Sequence, residues 1–212
     1  TGQRRAGKSW LMRQVITSML DRQVMEPSQI LYINKEFYRY SFVQTPDDLM
    51  DLYETYCHEI NPDRKSYVFL DEVHNIHGWE HVVDSLSQDP SIDCEIFLTG
   101  SNSKLLSGEL STLLSGRYVE FEVQPFSYTE YLKANQAVHP SRQSMLDYLR
   151  SGGLPEFVNL RGEETKRHYV EAVKDTILLK DIVERHKIKD AALLDRIFAY
   201  LVNNSASLVS VT

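Results

Sequence analysis

Apolar residues follow two rhythms along this chain. Between residues 8 and 20, Leu11, Met12, Val15, Ile16, Met19 and Leu20 recur at three- and four-residue steps, which predicts a helix with a continuous apolar stripe. Pro27-Ser28 interrupts the chain before Ile30-Leu31-Tyr32-Ile33, a short run that predicts a strand. Pro46-Asp47-Asp48 opens a second helix running to about residue 60, with Thr45 or Asp47 suited to capping it. After the turn Asn61-Pro62-Asp63, the run Tyr67-Val68-Phe69-Leu70 has no polar alternation, as expected of a strand buried on both faces. A helix over 79–86 and another buried strand, Glu95-Ile96-Phe97-Leu98, come next. The Ser-rich stretch 100–116 predicts one or two short helices, and 118–123 alternates as a final strand. Strands separated by helices imply the α/β class with a parallel sheet.

Beyond Pro125 the pattern is helical, broken at Ser151-Gly152-Gly153-Leu154-Pro155. Residues 190–202 place Leu193, Leu194, Ile197, Phe198, Leu201 and Val202 on one helical face. The polar Asn203-Asn204-Ser205 then leads to Val209-Ser210-Val211-Thr212, which reads as the start of another unit. With 212 residues and 42% hydrophobic content, the chain suffices for one α/β domain and a small helical appendage. A net charge of −7 and a pI near 5.5 give no overall electrostatic footprint for nucleic acid. A local basic patch or a further domain would escape that sum. Cys57 and Cys94 form no disulfide framework, which fits a reducing, cytoplasmic setting. No stretch approaches the roughly 20 apolar residues of a membrane span, so no membrane partner is expected.

The chemistry is concentrated at the start. Thr1-Gly2-Gln3-Arg4-Arg5-Ala6-Gly7-Lys8-Ser9 contains a complete G-x-x-x-x-G-K-[ST] phosphate loop. Gly2 and Gly7 permit positive-φ turns and close backbone approach. The N–H groups of such a loop point at phosphate oxygens in front of the positive end of the following helix. Lys8 supplies charge to the β and γ phosphates, and the Ser9 hydroxyl is placed to ligate Mg²⁺. Gln3, Arg4, Arg5 and Ala6 complete the cradle and Trp10 follows it, so residues 2–10 are candidate nucleotide contacts. A buried strand should precede such a loop; the chain opens on Thr1, and that strand is expected upstream.

Further along, the buried strand 67–70 ends in Asp71-Glu72. Ligands of open α/β sheets bind at this carboxyl edge. Asp71 suits the carboxylate that holds Mg²⁺ opposite Ser9, and Glu72 suits a base that deprotonates an attacking water. That pairing favours hydrolysis over transfer to a substrate hydroxyl. The next strand ends in Thr99-Gly100-Ser101-Asn102, where Asn102 or Ser101 could sense a γ-phosphate or cap a helix. Arg117, after Gly116, could reach a γ-phosphate in its own site or a neighbouring subunit's, or form a surface ion pair. His74, His77 and His81 recur at helical spacing, but Gly78 interrupts them and no ligand set is completed. Trp79 reads as a core anchor.

Together these motifs resemble the bacterial and archaeal AAA-superfamily ATPases whose AAA domain precedes a C-terminal domain of unknown function with a restriction-nuclease-like fold. The resemblance rests on the loop 2–9, on Phe69-Leu70-Asp71-Glu72-Val73-His74 with Gly78-Trp79, and on Leu98-Thr99-Gly100-Ser101-Asn102. It continues through Ser115-Gly116-Arg117, Pro125-Phe126-Ser127-Tyr128, Glu130-Tyr131-Leu132, Gly152-Gly153-Leu154-Pro155-Glu156 and Lys180-Asp181-Ile182. It implies a P-loop NTPase with a parallel sheet in the order 5-1-4-3-2, its first strand missing from this chain, then a helical lid and the start of a winged-helix-like domain. The corresponding divisions are 1–124, 125–189 and 190–212. By position it implies that Lys8 and Ser9 bind phosphate and Mg²⁺, Asp71 holds the metal and Glu72 is the water base. Asn102 or Ser101 would then be the sensor and Arg117 a phosphate-contacting arginine. The family often has a Glu-Asp pair where this chain has Glu36-Phe37, so Glu36 receives no catalytic role.

Three functions are consistent with this reading. The first is a Mg-dependent ATP hydrolase driving a switch or motor. The second is a nucleotide-gated scaffold with little turnover, and the third, less favoured by Glu72 and the long helical tail, a P-loop kinase. A homo-oligomer, or a protein or DNA partner, is compatible with each.

Overall fold

The computed structural model describes residues 1–61, 64–100, 117–136, 139–184 and 187–205, and it divides into two compact units, Thr1–Pro155 and Glu156–Thr212. In the first unit, the chain alternates α1 (Lys8–Asp21), β1 (Ile30–Asn34), α2 (Pro46–Glu59), β2 (Ser66–Asp71), α3 (Trp79–Gln88) and β3 (Cys94–Leu98). These three strands form a parallel sheet in the order β1-β2-β3. Register places Asn34 opposite Asp71 and Leu70 opposite Leu98.

The apolar run of β2 explains its central place. Successive side chains of a strand point to opposite faces. Tyr67 and Phe69 pack with Met12 of α1 and with Met25, and Phe69 stacks on Phe97 with ring centroids 4.6 Å apart. Val68 and Leu70 face the other way, into a core with Leu49 and Tyr53 of α2 and Trp79, Val82 and Leu86 of α3. Every residue of β2 is buried, so helices cover both faces as the unalternated sequence predicted.

Helix ends follow local chemistry. Thr45 caps α2: its side chain accepts the Asp48 N–H while the Asp48 carboxylate accepts the Thr45 N–H. Gly78, at φ 65°, precedes α3 and ends the histidine spacing noted above, since His74 lies in a separate short turn. Trp79 is buried in the core.

One sequence expectation is corrected. Residues 118–123 do not form a regular strand; their one strand-like pairing is an isolated parallel bridge between Val123 and Gly2. Two further backbone bonds tie them to the first residue: the Thr1 ammonium donates to the Phe121 carbonyl at 2.8 Å, and the Val123 N–H donates to the Thr1 carbonyl at 2.8 Å. An alternating pattern supplies side chains for a face but not the neighbouring backbone that a ladder requires. The expected short helices of 101–116, with Ser101 and Asn102, lie outside the described residues.

The rest of this unit contains α4 (Tyr128–Ala134) and α5 (Arg142–Ser151). Both begin at serines, Ser127 and Ser141, in reciprocal capping boxes. The Gly152-Gly153 turn closes back on the start of this helical segment, where the Phe126 N–H donates to the Gly153 carbonyl at 2.8 Å and the Tyr148 hydroxyl to the Phe126 carbonyl at 2.9 Å. A Cβ at Gly153 would sit 2.4 Å from the Phe126 oxygen, so this close approach requires glycine.

In the second unit, α6 (Glu163–Thr176) runs into a π-helical segment, Ile177–Glu184, and α7 (Ala191–Asn203) follows. Asp190 caps α7 by accepting the Leu193 N–H at 2.8 Å. Phe157 packs edge-on against Tyr169, and Lys174 bridges to Asp195 at 3.1 Å. Residues 206–212, which include the expected opening of a further unit, lie outside the described residues.

Candidate functional site

Three strand ends and the first turn of α1 meet at the carboxyl edge of the sheet. Gly7, at φ 102°, turns the chain into α1, and its carbonyl accepts the Leu11 N–H at 2.9 Å. No side chain crowds the place of a Gly7 Cβ, since the nearest atom there is Pro155 Cγ at 3.8 Å. The left-handed φ is therefore what calls for glycine at Gly7. Gly2 is different. A Cβ there would lie 2.3 Å from the Val123 carbonyl oxygen, so the first glycine of the loop is needed for packing against 118–123. Arg5 also takes a positive φ, 67°, and Ala6 is buried. Gln3, Arg5 and Trp10 are open to solvent, with Trp10 69% exposed beside the loop.

Lys8 is buried, and its Nζ donates to the Gln3 carbonyl at 3.0 Å. It also lies 3.9 Å from Glu72 Oε1. Burial pushes the Lys8 ammonium below its ordinary value, with partial compensation from Glu72. Burial likewise pushes the Glu72 carboxyl up, opposed by Lys8. Each charge is thus disfavoured by desolvation more than it is rescued by the other. Glu72 itself is left-handed, at φ 56° and ψ 44°, and His74 Nδ1 lies 3.4 Å from its Oε2.

Asp71 is fully buried and is held from three sides. Ser9 Oγ donates to Oδ1 at 2.9 Å, the contact expected of residues that would share a cation. Thr99 Oγ1 donates to the same oxygen. Asn34 Nδ2 and the Tyr32 hydroxyl donate to Oδ2 at 2.7 Å and 3.0 Å. A hydroxyl and a carboxylate side by side form a hard oxygen donor pair, which fits Mg²⁺.

The structure thus brings Lys8, Ser9, Asp71 and Glu72 together. Arg117 donates to Asp84 of α3 at 3.2 Å, the ion-pair alternative among its readings. Tyr32 and Asn34 are contributors that the motifs did not flag, and Thr99 and His74 stood inside quoted motifs without being given a role at this site. Their available signal was polarity at the C-terminal ends of apolar strands, above all Asn34 ending Ile30-Leu31-Tyr32-Ile33 and Thr99 ending the next.

A family profile described as an AAA domain matches residues 1–132, and a domain of unknown function (DUF8612) matches residues 142–212. An uncharacterized protein of Haemophilus influenzae is 35% identical, covering 99% of this chain and 52% of its own length. The uncharacterized protein MJ1544 of Methanocaldococcus jannaschii is 28% identical, covering 99% of this chain and 47% of its own length. The chain therefore spans about half the length of these relatives. No solved structure matches. Among the described residues, no helix is long and apolar enough to cross a membrane. By its phosphate loop and by this match, the chain belongs to the AAA domain family of P-loop, nucleotide-binding proteins, joined to a C-terminal domain of unknown function.

Proposed function

We propose that this chain binds ATP with Mg²⁺ and hydrolyses it, and that the cycle drives a conformational switch or motor. The observation that carries this reading is the convergence of Lys8 and Ser9, at the start of α1, on Asp71 and Glu72, at the end of β2. Residues 2–10 would hold the nucleotide, with Lys8 on its outer phosphates. Ser9 and Asp71 would hold the metal, which supplies charge neutralisation at the phosphates. Glu72 would accept a proton from the attacking water, a task that its burial-raised affinity for protons favours. Asn102 or Ser101 would sense the γ-phosphate, and Arg117 would exchange its Asp84 partner for phosphate, in its own site or across a homo-oligomer.

The proposal extends to the fold. A cavity of about 660 Å³ has Ile96 and Leu98 of β3, Met12 and Val15 of α1, and Val119 and Phe121 in its wall. In the order 5-1-4-3-2, a strand running into Gly2 would occupy that cavity, between β3 and 118–123. The parallel Gly2–Val123 bridge supports that placement. Residues 1–124 would be the ATPase core, 125–189 a lid and 190–212 the start of a winged-helix-like domain, in a cytoplasmic protein with a restriction-nuclease-like domain further on. Calorimetric titration with Mg-ATP tests the binding step. Wild-type protein should bind, and Lys8→Ala should bind at least about tenfold more weakly, as expected from losing a charge-assisted phosphate contact. Equal binding by the two proteins would reject the site.

A further inference from the structure

We propose that Thr99 is a positioning residue that locks the metal carboxylate Asp71 and the base Glu72 into one unit; this rests on the hydrolase reading above. Thr99 stands at the end of β3 and is buried. Its hydroxyl donates to Asp71 Oδ1 and accepts the Glu72 N–H at 3.1 Å. Its backbone is tied to the same segment: the Thr99 N–H donates to the Leu70 carbonyl at 2.9 Å, and its carbonyl accepts the Val73 N–H at 3.1 Å. One residue therefore grips the chain from Leu70 to Val73.

That grip falls where the backbone most needs it. Glu72 occupies the left-handed region, which residues other than glycine rarely adopt. The turn carries its carboxylate off the strand direction, to 3.9 Å from Lys8 Nζ and 3.4 Å from His74 Nδ1. Asp71 has independent support on its other oxygen from Tyr32 and Asn34. For Glu72, the N–H donates to Thr99, on a peptide whose other end, the Asp71 carbonyl, accepts the Lys35 N–H at 3.1 Å. The Thr99 hydroxyl is thus shared between the Asp71 carboxylate and the Glu72 N–H, and a displacement of β3's end would be felt by both.

Thr99→Val removes the hydroxyl while keeping the shape, and Thr99→Ser restores it. The three proteins are compared by steady-state kinetics, by electron paramagnetic resonance of Mn²⁺ binding with a non-hydrolysable ATP analogue, and by thermal melting, with Lys8→Ala as the control. For Thr99→Val, kcat should fall about 10–100-fold and Mn²⁺ affinity about tenfold, the usual range for groups that orient metal ligands. KM for ATP should stay within about twofold, and Thr99→Ser should recover both losses. Wild-type kcat and Mn²⁺ affinity in Thr99→Val, or equal impairment of the Val and Ser proteins in step with a lower melting temperature, would overturn the proposal and leave the hydrolase reading standing. Nucleotide and Mn²⁺ binding by wild type no better than by Lys8→Ala would instead overturn the hydrolase reading, and the positioning role of Thr99 with it.

Discussion

β2 and the stretch 118–123 carry similar apolar content but reach opposite outcomes. β2 is buried at all six positions and pairs on both edges, with β1 and with β3. In 118–123, Phe121 is 73% exposed and Val119 77%, with a single bridge at Val123. Side-chain pattern selects a face, but backbone partners on either edge decide whether a segment becomes a strand. The same contrast separates the two halves of the candidate site. Asp71, at the end of the fully paired strand, has its carboxylate fixed by four neighbouring side chains, whereas Arg117, at the start of the unpaired stretch, rests on a surface partner.

The contrast can be broken by substitution. Phe69→Ala should destabilise the chain by about 3–5 kcal/mol, as expected for emptying a fully buried aromatic site. Chemical denaturation would measure it, and a loss below about 1 kcal/mol would contradict the central role of β2. Arg117→Ala should cost only about 0.2–1 kcal/mol, the range for an exposed ion pair. Phe121→Ala in the 212-residue chain should fall within about 0.5 kcal/mol of wild type. A large loss there would show that 118–123 is packed after all.

A pH series sharpens the account of the buried pair. Because burial raises the Glu72 carboxyl above its ordinary value of 4.5, the folded protein keeps this proton to higher pH than the unfolded chain does. The resulting stabilisation is complete below the ordinary value and is lost as pH rises through the raised one. Glu72→Gln should therefore melt above wild type at neutral pH, and the difference should shrink on acidification. An unchanged difference from neutral to acid pH would remove desolvation of Glu72 as its cause.

Much of this was legible in the sequence because it depends on local pattern. The unalternated run 67–70 announced a doubly covered strand, and the phosphate-loop spacing announced the turn at Gly7. The pairing of Ser9 with Asp71 followed from two motifs lying at one sheet edge. The other donors to Asp71 were not legible as such, because Tyr32, Asn34 and Thr99 reach it only through the register of β1 and β3 against β2. Gly2 was read as a glycine for phosphate approach, while its tightest demand comes from the Val123 carbonyl, distant in sequence. The expected final strand shows only the Gly2–Val123 bridge, because alternation does not reveal whether neighbouring backbone is present.

The most direct test of the central claim is steady-state ATP hydrolysis by wild type and Glu72→Gln, with Mg-ATP binding measured on the same preparations. The account predicts that Glu72→Gln binds nucleotide as wild type does and turns over about 10²–10⁴-fold more slowly, the span expected for loss of a general base. Equal turnover by the two proteins would contradict the assignment of Glu72, and with it the proposal that this buried site hydrolyses ATP by the chemistry described.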